Sequence, residues 1–139
     1  MRKGNLFTVL LLLAFSGSLQ AQGMGPSEKI ANPASENCLK QGGQLLMERR
    51  EGGSQLGICA FAEGKQCEEW AMFRGECPPG GVDVRGLATP AARYCVITGG
   101  QYSVTENPGT PGEKGICTFP SGKVCDVWEY YRGRCSSDR

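Results

Sequence analysis

The segment "GKQCEEWAMFRGEC" at residues 64–77 occurs again as "GKVCDVWEYYRGRC" at residues 122–135. Both copies hold glycine, lysine, cysteine, tryptophan and arginine at the same places. The eight cysteines of the chain fall into two sets of four, spaced by 21, 8 and 10 residues in the first set and by 22, 8 and 10 in the second. A shared order of this kind is the signature of tandem repeats, so the sequence predicts one small unit built twice.

The match extends beyond the cysteines and sets the limits of the two units. The stretch "ANPASENC" corresponds to "ATPAARYC", and "GICAF" corresponds to "GICTF". We therefore expect the units at residues 31–77 and 88–135. The segment between them, "PPGGVDVRGL" at residues 78–87, has the composition of a linker. Residues 22–30 are expected to be a disordered lead-in, and residues 136–139 a short tail.

Each unit is predicted to contain two short helices and a hairpin. Asn32 and Thr89 are good helix N-caps, and each precedes a proline, which suits the first helical position. The paired glycines that follow should end this helix. Two apolar segments separated by turn residues predict a hairpin, and residues 67–74 and 125–132 predict a second helix. The expected fold class is a small disulfide-rich α+β protein of two tandem helix–β-hairpin–helix units.

The N-terminal residues have the three-part layout of a secretion signal. A basic start, an apolar run at residues 6–15 and small polar residues follow one another, and the run is too short to span a bilayer. Residues 1–21 are expected to be the signal peptide, cleaved after Ala21 or alternatively after Ser18. No cysteine precedes Cys38, so no lipid-attachment cysteine is expected. These features predict a periplasmic or secreted protein.

An even number of cysteines in a small exported chain predicts a disulfide framework. Metal binding is the weaker alternative, because the chain has no C-x-x-C pair and no histidine. Units this small also need cross-links, since they cannot bury much apolar surface. Four cysteines allow three pairings; we favour first with second and third with fourth, because the third and fourth flank one short helix. The cysteines are Cys38, Cys59, Cys67, Cys77, Cys95, Cys117, Cys125 and Cys135.

Several function classes find no support in the composition. The absence of histidine excludes Ser-His and Cys-His catalysis and the common zinc-protease motifs. The net charge of +1 at pH 7 gives no basis for nucleic-acid binding. No segment after the signal is apolar enough for a transmembrane span. We therefore expect no enzyme activity, no cofactor, no metal and no nucleic-acid partner for the mature chain.

The repeated closing segment carries the side chains best suited to binding. In each copy an aromatic residue and an arginine follow the tryptophan at i+3 and i+4, positions that share one face of a helix. Aromatic and arginine side chains are enriched in binding hot spots. The alternative is that each tryptophan packs on the hairpin as the core of its unit, with the arginine over its ring. The candidate patch consists of Trp70, Phe73, Arg74, Trp128, Tyr131 and Arg132.

Glu68 and Glu69 form an adjacent acidic pair, which raises the question of a catalytic carboxylate pair. Adjacent helical residues point about 100° apart, and the second unit has Asp126 and Val127 at these positions. Acidic side chains are favourable in the first turn of a helix because they complement the helix dipole. We therefore interpret the pair as helix-terminus charges.

At these residues the chain resembles a known family. The pattern "NPAS…C…GG…GIC.F..GK.CEEWA.FRGEC" is similar to the small bacterial domain labelled as a haemolysin and also called domain of unknown function 333. The first unit matches it closely. The second departs from it with Thr89 for asparagine and with Asp126 and Val127 for the double glutamate. The resemblance implies an exported bacterial protein and provides no catalytic residues.

These observations predict a non-catalytic binding module, whose two tethered units would gain avidity for a protein or a cell-envelope component. The alternative is an inhibitor of an extracytoplasmic hydrolase such as a serine protease or lysozyme. Rigid loops favour inhibition because they lose little entropy on docking, and residues 51–55 and 107–114 would make the contacts. Membrane lysis is not expected, since the sequence has no amphipathic helix with a basic face and no long alternating strands.

Overall fold

The computed structural model describes residues 32–138. The expected signal peptide and lead-in, and the last residue of the expected tail, lie outside these residues. In chain order the elements are α1 (Pro33–Lys40), β1 (Gln44–Arg49), β2 (Gln55–Ala60), β3 (Lys65–Glu68), α2 (Glu69–Phe73), β4 (Val82–Asp83), α3 (Pro90–Ile97), β5 (Gln101–Glu106), β6 (Lys114–Thr118), β7 (Val124–Asp126) and α4 (Val127–Tyr131). The first repeat runs from α1 to α2, and the second repeat runs from α3 to α4.

Each repeat opens on a capped helix, as predicted. Asn32 accepts hydrogen bonds from the N–H groups two and three positions ahead, at 2.9 and 3.3 Å. Thr89 accepts one from the N–H group three positions ahead, at 3.1 Å. The helix ends where the first glycine of each pair takes a positive φ, 79° at Gly42 and 95° at Gly99. Glycine adopts this conformation at little cost, so local sequence sets both ends of the helix.

The hairpin of each repeat is extended by a third strand that the sequence analysis did not predict. The antiparallel order is β1-β2-β3 in the first repeat and β5-β6-β7 in the second, and β4 of the connecting segment adds a fourth strand beside β3. The prediction of helix throughout residues 67–74 and 125–132 is therefore wrong. Each segment begins in a strand paired with its neighbour, with Cys67 opposite Cys59, and the helix that follows has only five residues. The acidic residue before each helix is its N-cap rather than part of its first turn.

Each repeat contains two disulfide bonds. One joins the opening helix to the middle strand and the other encloses the closing helix, which is the first-with-second and third-with-fourth arrangement. The second glycine of each pair makes room for the first bond, since a Cβ at Gly43 or Gly100 would lie 2.3 Å from a cystine sulfur. Each bond contributes about 3 kcal/mol in the chain-entropy account, a large share for units this small. The bonds are Cys38–Cys59, Cys67–Cys77, Cys95–Cys117 and Cys125–Cys135.

The core of each repeat lies between its helices and one face of its sheet. In the first repeat the cystines pack with Ala71 and Met72 of α2. In the second they pack with Phe119, Val127 and Tyr130. Both cores are small, because a repeat of this size can enclose few side chains. Cystine sulfur therefore fills space that larger domains give to aliphatic side chains.

The other face of the first sheet packs against the second repeat. Side chains alternate between the two faces of a strand, so Leu56 and Ile58 point away from the helices of their own repeat. They form a third apolar cluster with Ile97 of α3. Val82 and Val84, from the segment that connects the repeats, pack against this cluster. The connecting segment also supplies β4, which is hydrogen-bonded to β3, so it takes part in the contact between the repeats.

Candidate functional site

Two aromatic side chains stand edge to face on the closing helix of each repeat. In the first repeat the ring centroids of Trp70 and Phe73 are 5.8 Å apart and the ring planes meet at 88°. In the second repeat Trp128 and Tyr131 are also 5.8 Å apart and meet at 89°. The three-residue spacing places both rings on the same side of the helix, and edge-to-face contact is a favoured geometry. The fold thus builds the same aromatic pair twice.

The rings of the first repeat are too exposed to form the core of their unit, which was the alternative role considered for the tryptophan. Trp70 is 38% exposed and Phe73 is 48% exposed, while the two residues between them are buried. The tryptophan of the first repeat is therefore not the core of its unit, because cystines and a methionine already fill that space. Trp128 is half-buried, and its indole N–H donates to the Glu113 carbonyl oxygen at 3.2 Å. The first repeat leaves more aromatic surface open.

The two arginines of the candidate patch have different partners. The Arg132 guanidinium lies 5.1 Å from the centre of the Trp128 ring, in the expected cation–π contact. Arg74 instead donates two hydrogen bonds to the Glu76 carboxylate, at 3.0 and 3.1 Å, and these raise the pKa of its guanidinium. The second repeat has Arg134 at the position of Glu76. Arg74 therefore has a carboxylate partner at a position where its counterpart Arg132 has an arginine.

A third arginine, which the sequence does not single out, contacts two tyrosine rings of the second repeat. The Arg50 guanidinium, just beyond β1, lies 4.3 Å from the ring centre of Tyr94 and 4.7 Å from that of Tyr131. It also donates a hydrogen bond to the Tyr131 carbonyl oxygen. The two tyrosine rings meet at 77°, so the cation lies in the corner between them. No local sequence signal predicts this contact, because Arg50 and Tyr131 are 81 positions apart in the chain.

An ion pair lies beside this tyrosine corner. Arg93 of α3 donates to the Glu48 carboxylate, with the closest approach at 2.5 Å. Glu48 and Arg50 are two positions apart, and side chains with this spacing leave the same face of a strand. The side chains of the pair are partly exposed, 25% for Arg93 and 39% for Glu48, so the pair adds modest stability. It links β1 of the first repeat to α3 of the second.

An open groove separates the turn of the first hairpin from the end of α4. Its volume is about 500 Å³, and residues of the 51–54 turn face Tyr131, Arg132 and Arg134 across it. Arg134 is paired with Glu129 at 2.6 Å, and this hydrogen-bonded partner lowers the pKa of the Glu129 carboxyl. The groove therefore places two residues of the candidate patch next to the first of the two loops considered for inhibition.

Glu69 lies in the first turn of α2, as predicted for a helix-terminus charge, but its side chain is buried. It is only 4% exposed, and its carboxylate accepts hydrogen bonds from the Ser35 hydroxyl at 2.5 Å and from the Asn32 side-chain amide at 3.1 Å. Space for it comes from Gly57, because a Cβ there would lie 2.3 Å from the carboxylate. Glu68 does behave as expected and caps α2. The buried carboxylate ties the two helices of the first repeat together.

The second repeat has a different polar network beneath its hairpin loop. Glu113 is 4% exposed and accepts hydrogen bonds from the Tyr102 hydroxyl and the Gly109 N–H, both at 2.7 Å. The backbone bond and then the tyrosine bond lower the pKa of the Glu113 carboxyl. Burial, and then the bond to Glu113, raises the pKa of Tyr102. This network holds the loop at residues 107–114, the second loop considered for inhibition.

The described residues include no cluster of three or more side chains suited to binding a metal ion. None of the helices in residues 32–138 has the length and apolar character needed to cross a membrane. Four disulfides indicate an oxidising, extracytoplasmic location for the folded protein.

Comparison with known proteins identifies relatives of the individual repeat. The uncharacterized protein YdbJ of Escherichia coli strain K12 is 32% identical over 53 residues, which are 38% of this chain and 60% of YdbJ. An uncharacterized protein of Archaeoglobus fulgidus is 36% identical over 47 residues, which are 34% of this chain and 21% of that protein. The matches thus span less than two thirds of either relative. No solved structure is significantly similar to the chain.

A single family model matches the chain twice, at residues 29–76 and again at residues 86–134. The two matches correspond to the two disulfide-bonded repeats and together cover more than half of the sequence. The chain therefore belongs to the family described as "Domain of unknown function (DUF333)", of which it carries two tandem copies.

Proposed function

We propose that the chain is an exported, non-catalytic binding module that engages a protein or a cell-envelope component in the periplasm or outside the cell. The observation that carries this proposal is the exposed aromatic pair of the first repeat, with Trp70 38% and Phe73 48% exposed. Aromatic, methionine and arginine side chains are the types enriched at the centres of interfaces. Single exposed apolar residues need no explanation, but a matched pair held in fixed geometry does.

The exposed apolar surface extends beyond the two rings. Met47 is 55% exposed and pairs with Gly57 across the β1–β2 ladder. Gly57 faces Glu69 of α2, so Met47 leaves the sheet on the side that carries this helix. Methionine adapts its shape to different partners. The aromatic pair and the methionine therefore lie on the same side of the first repeat.

Rigidity of the support favours binding. The Cys67–Cys77 bond encloses α2, and the helix is capped by Glu68 through two backbone N–H groups, at 3.0 and 2.7 Å. A side chain carried on a fixed support loses less entropy when it docks.

The proposed function does not include membrane lysis, despite the haemolysin label of the resembled domain.

The test is capture of a partner from envelope extracts by the oxidised mature chain, compared across variants. Trp70→Ala and Arg74→Ala, and Arg132→Ala in the second repeat, probe the candidate patch. Val124→Ala is the control, because Val124 is an apolar side chain that is 50% exposed but lies on β7, outside the patch. The proposal expects loss of capture with at least one patch variant and none with the control. Retention by all three patch variants, with folding intact, would reject the patch as the site.

The second candidate is an inhibitor of an extracytoplasmic hydrolase, and one observation favours it. The 107–114 loop is held in a fixed shape, with the Thr110 hydroxyl donating to the Asn107 carbonyl oxygen at 2.9 Å and the Glu113 carboxylate beneath it. Serine proteases and lysozymes should then be inhibited at one equivalent of oxidised protein. Reduction, or cleavage within this loop or within residues 51–55, should abolish the effect. No inhibition of any such enzyme would remove this candidate and leave the first.

A further inference from the structure

The two repeats pack head to tail, so that two different faces meet. We call the outer face of a repeat's sheet its offered face, and the helical face on which such a sheet packs its receiving face. The first repeat offers the outer face of its sheet, which carries an apolar cluster and the Arg50 guanidinium. The second repeat receives them with its helical face, through Tyr94, Val96 and Tyr131. The contact between the repeats therefore shows that a receiving face can bind apolar side chains and a guanidinium group.

The first repeat has a receiving face of its own. When the cysteines of the two repeats are aligned, three residues of the first repeat take the positions of Tyr94, Val96 and Tyr131. They are Asn37, Leu39 and Phe73. Leu39 and Phe73 are each 48% exposed. The ring pair that includes Phe73 has the same 5.8 Å separation as its counterpart in the second repeat. The first repeat therefore keeps open an aromatic edge of the kind that holds a guanidinium in the second.

A second copy of this chain does not fit the open face. The buried Ile97 at the centre of the contact between the repeats is replaced by Lys40, whose side chain is 77% exposed. Burying an ammonium group against an apolar sheet is costly. The second repeat has also changed its offered face, with exposed Lys114 in place of Leu56. Polar outer faces end stacks of repeats, so the sequence does not encode further stacking of the same unit.

We propose that the receiving face of the first repeat binds a short segment of a different protein in which two basic residues are separated by one residue. This inference rests on the proposed function, and it adds the chemistry of the partner segment. One basic residue, an arginine, packs on the exposed Phe73 ring as Arg50 packs on Tyr131 in the second repeat. The amide of Asn37, in the place of a tyrosine, offers a hydrogen-bond acceptor to the same guanidinium.

The second basic residue follows from a change of charge on the opening helix. Where the second repeat has Arg93, which pairs with Glu48, the first repeat has Glu36. A partner that approaches in the same way must therefore carry a basic residue at the position of Glu48. Because Glu48 and Arg50 are two positions apart on one face of the chain, the partner needs the same spacing.

The face carries charges of both signs: Glu36 attracts a cation, and Lys40 repels one. Glu36 is 35% exposed, and its pair with Lys40 is long, at 3.9 Å, so a better-placed cation can compete for the carboxylate. Arg74 is already neutralised by its bidentate contact with Glu76.

The experiment uses a defined probe and the whole oxidised mature chain. The probe is a cyclic peptide that copies residues 47–55 with the change Glu48→Lys. Its matched control has the same composition and net charge, but Arg50 and Ser54 exchange places. Binding is followed by the NMR shift of the Trp70 indole N–H. We expect the probe to bind at least tenfold more tightly than the control, and Phe73→Ala in the chain to remove that difference, whereas Val124→Ala leaves it unchanged.

Other outcomes overturn the proposal in distinguishable ways. Equal binding of probe and control, or binding that survives Phe73→Ala, rejects the basic segment as the ligand. If capture of the natural partner still requires Phe73, the proposed function stands and only the partner chemistry is wrong. Protection of Leu39 and Phe73 from hydroxyl-radical footprinting in the free protein would show that the chain covers its own face. Dimers in sedimentation equilibrium would show that a second copy does so.

Discussion

Exchanging the buried hydrogen-bonded pair of the first repeat for its counterpart in the second should be nearly neutral, whereas either half alone should be costly. Ser35→Ala removes the donor at 2.5 Å from the Glu69 carboxylate and leaves a buried charge short of a partner, at a cost of about 2 kcal/mol. Glu69→Val leaves the buried Ser35 hydroxyl without its acceptor, at a cost of about 1–3 kcal/mol.

The double variant copies the second repeat, which has Ala92 and Val127 at these positions. It should cost about 1 kcal/mol, because replacing both partners by apolar groups leaves no buried polar group unsatisfied. The remaining cost is the space that the shorter valine leaves over Gly57, which the Tyr102 ring covers at the equivalent Gly115. The third member of the cluster, Asn32, is half-exposed, so water can replace the hydrogen bond that it loses. The expected coupling energy between the two changes is therefore about 2–4 kcal/mol.

The assay is guanidinium unfolding of the oxidised protein for the parent, both single variants and the double variant, with midpoints compared at constant slope. Ser54→Ala and Glu51→Val provide a control cycle on exposed residues, where the changes should be small and additive. If the buried double variant lost the sum of the two single losses, the hydrogen bond would not be what couples these positions. The Glu69 carboxylate would then not tie α1 to α2 through its bond with Ser35.

Three further predictions concern other parts of the structure. Gly43→Ala should destabilise the oxidised protein by about 1–3 kcal/mol in denaturant unfolding, because the added Cβ would lie 2.3 Å from the Cys59 sulfur; an unchanged midpoint would contradict this. Arg50→Ala should cost about 2 kcal/mol through its lost ring contacts and hydrogen bond, whereas the exposed Arg49→Ala should cost less than about 0.5 kcal/mol. The folded state lowers the pKa of Glu113 from 4.5, so its contribution is present above that value and is lost as the pH falls through the folded pKa. The stability gap to Glu113→Gln should therefore close in acid, and a gap that is constant with pH would disprove the assignment.

Local features of the fold could be predicted from the sequence because their causes lie within a few residues. The N-caps at Asn32 and Thr89 act on N–H groups no more than three positions ahead. The strands β3 and β7 could not be recognised in this way. The acidic residue at the end of each is a good first-turn residue and an equally good N-cap, so the sequence pattern predicts a helix that starts too early. Only pairing with a neighbouring strand decides between the two.

The candidate site was less accessible to sequence analysis, for two different reasons. The contact between Glu69 and Ser35 leaves one trace in the sequence: both residues are replaced by apolar residues in the second repeat. Positions that change together in this way indicate contact. Arg50 had no such signal, because its partners belong to the other repeat and depend on how the two repeats pack.

The packing of the repeats also changes what the duplication is expected to achieve. Avidity requires two usable copies of one binding face. The corner between Tyr94 and Tyr131 already holds Arg50, while the equivalent face of the first repeat is open at Phe73. A chain with one open face should bind one partner per chain, as isothermal titration would measure. A stoichiometry of two would mean that a partner displaces Arg50, and Arg50→Ala should then strengthen the second binding event, because the competing side chain is gone.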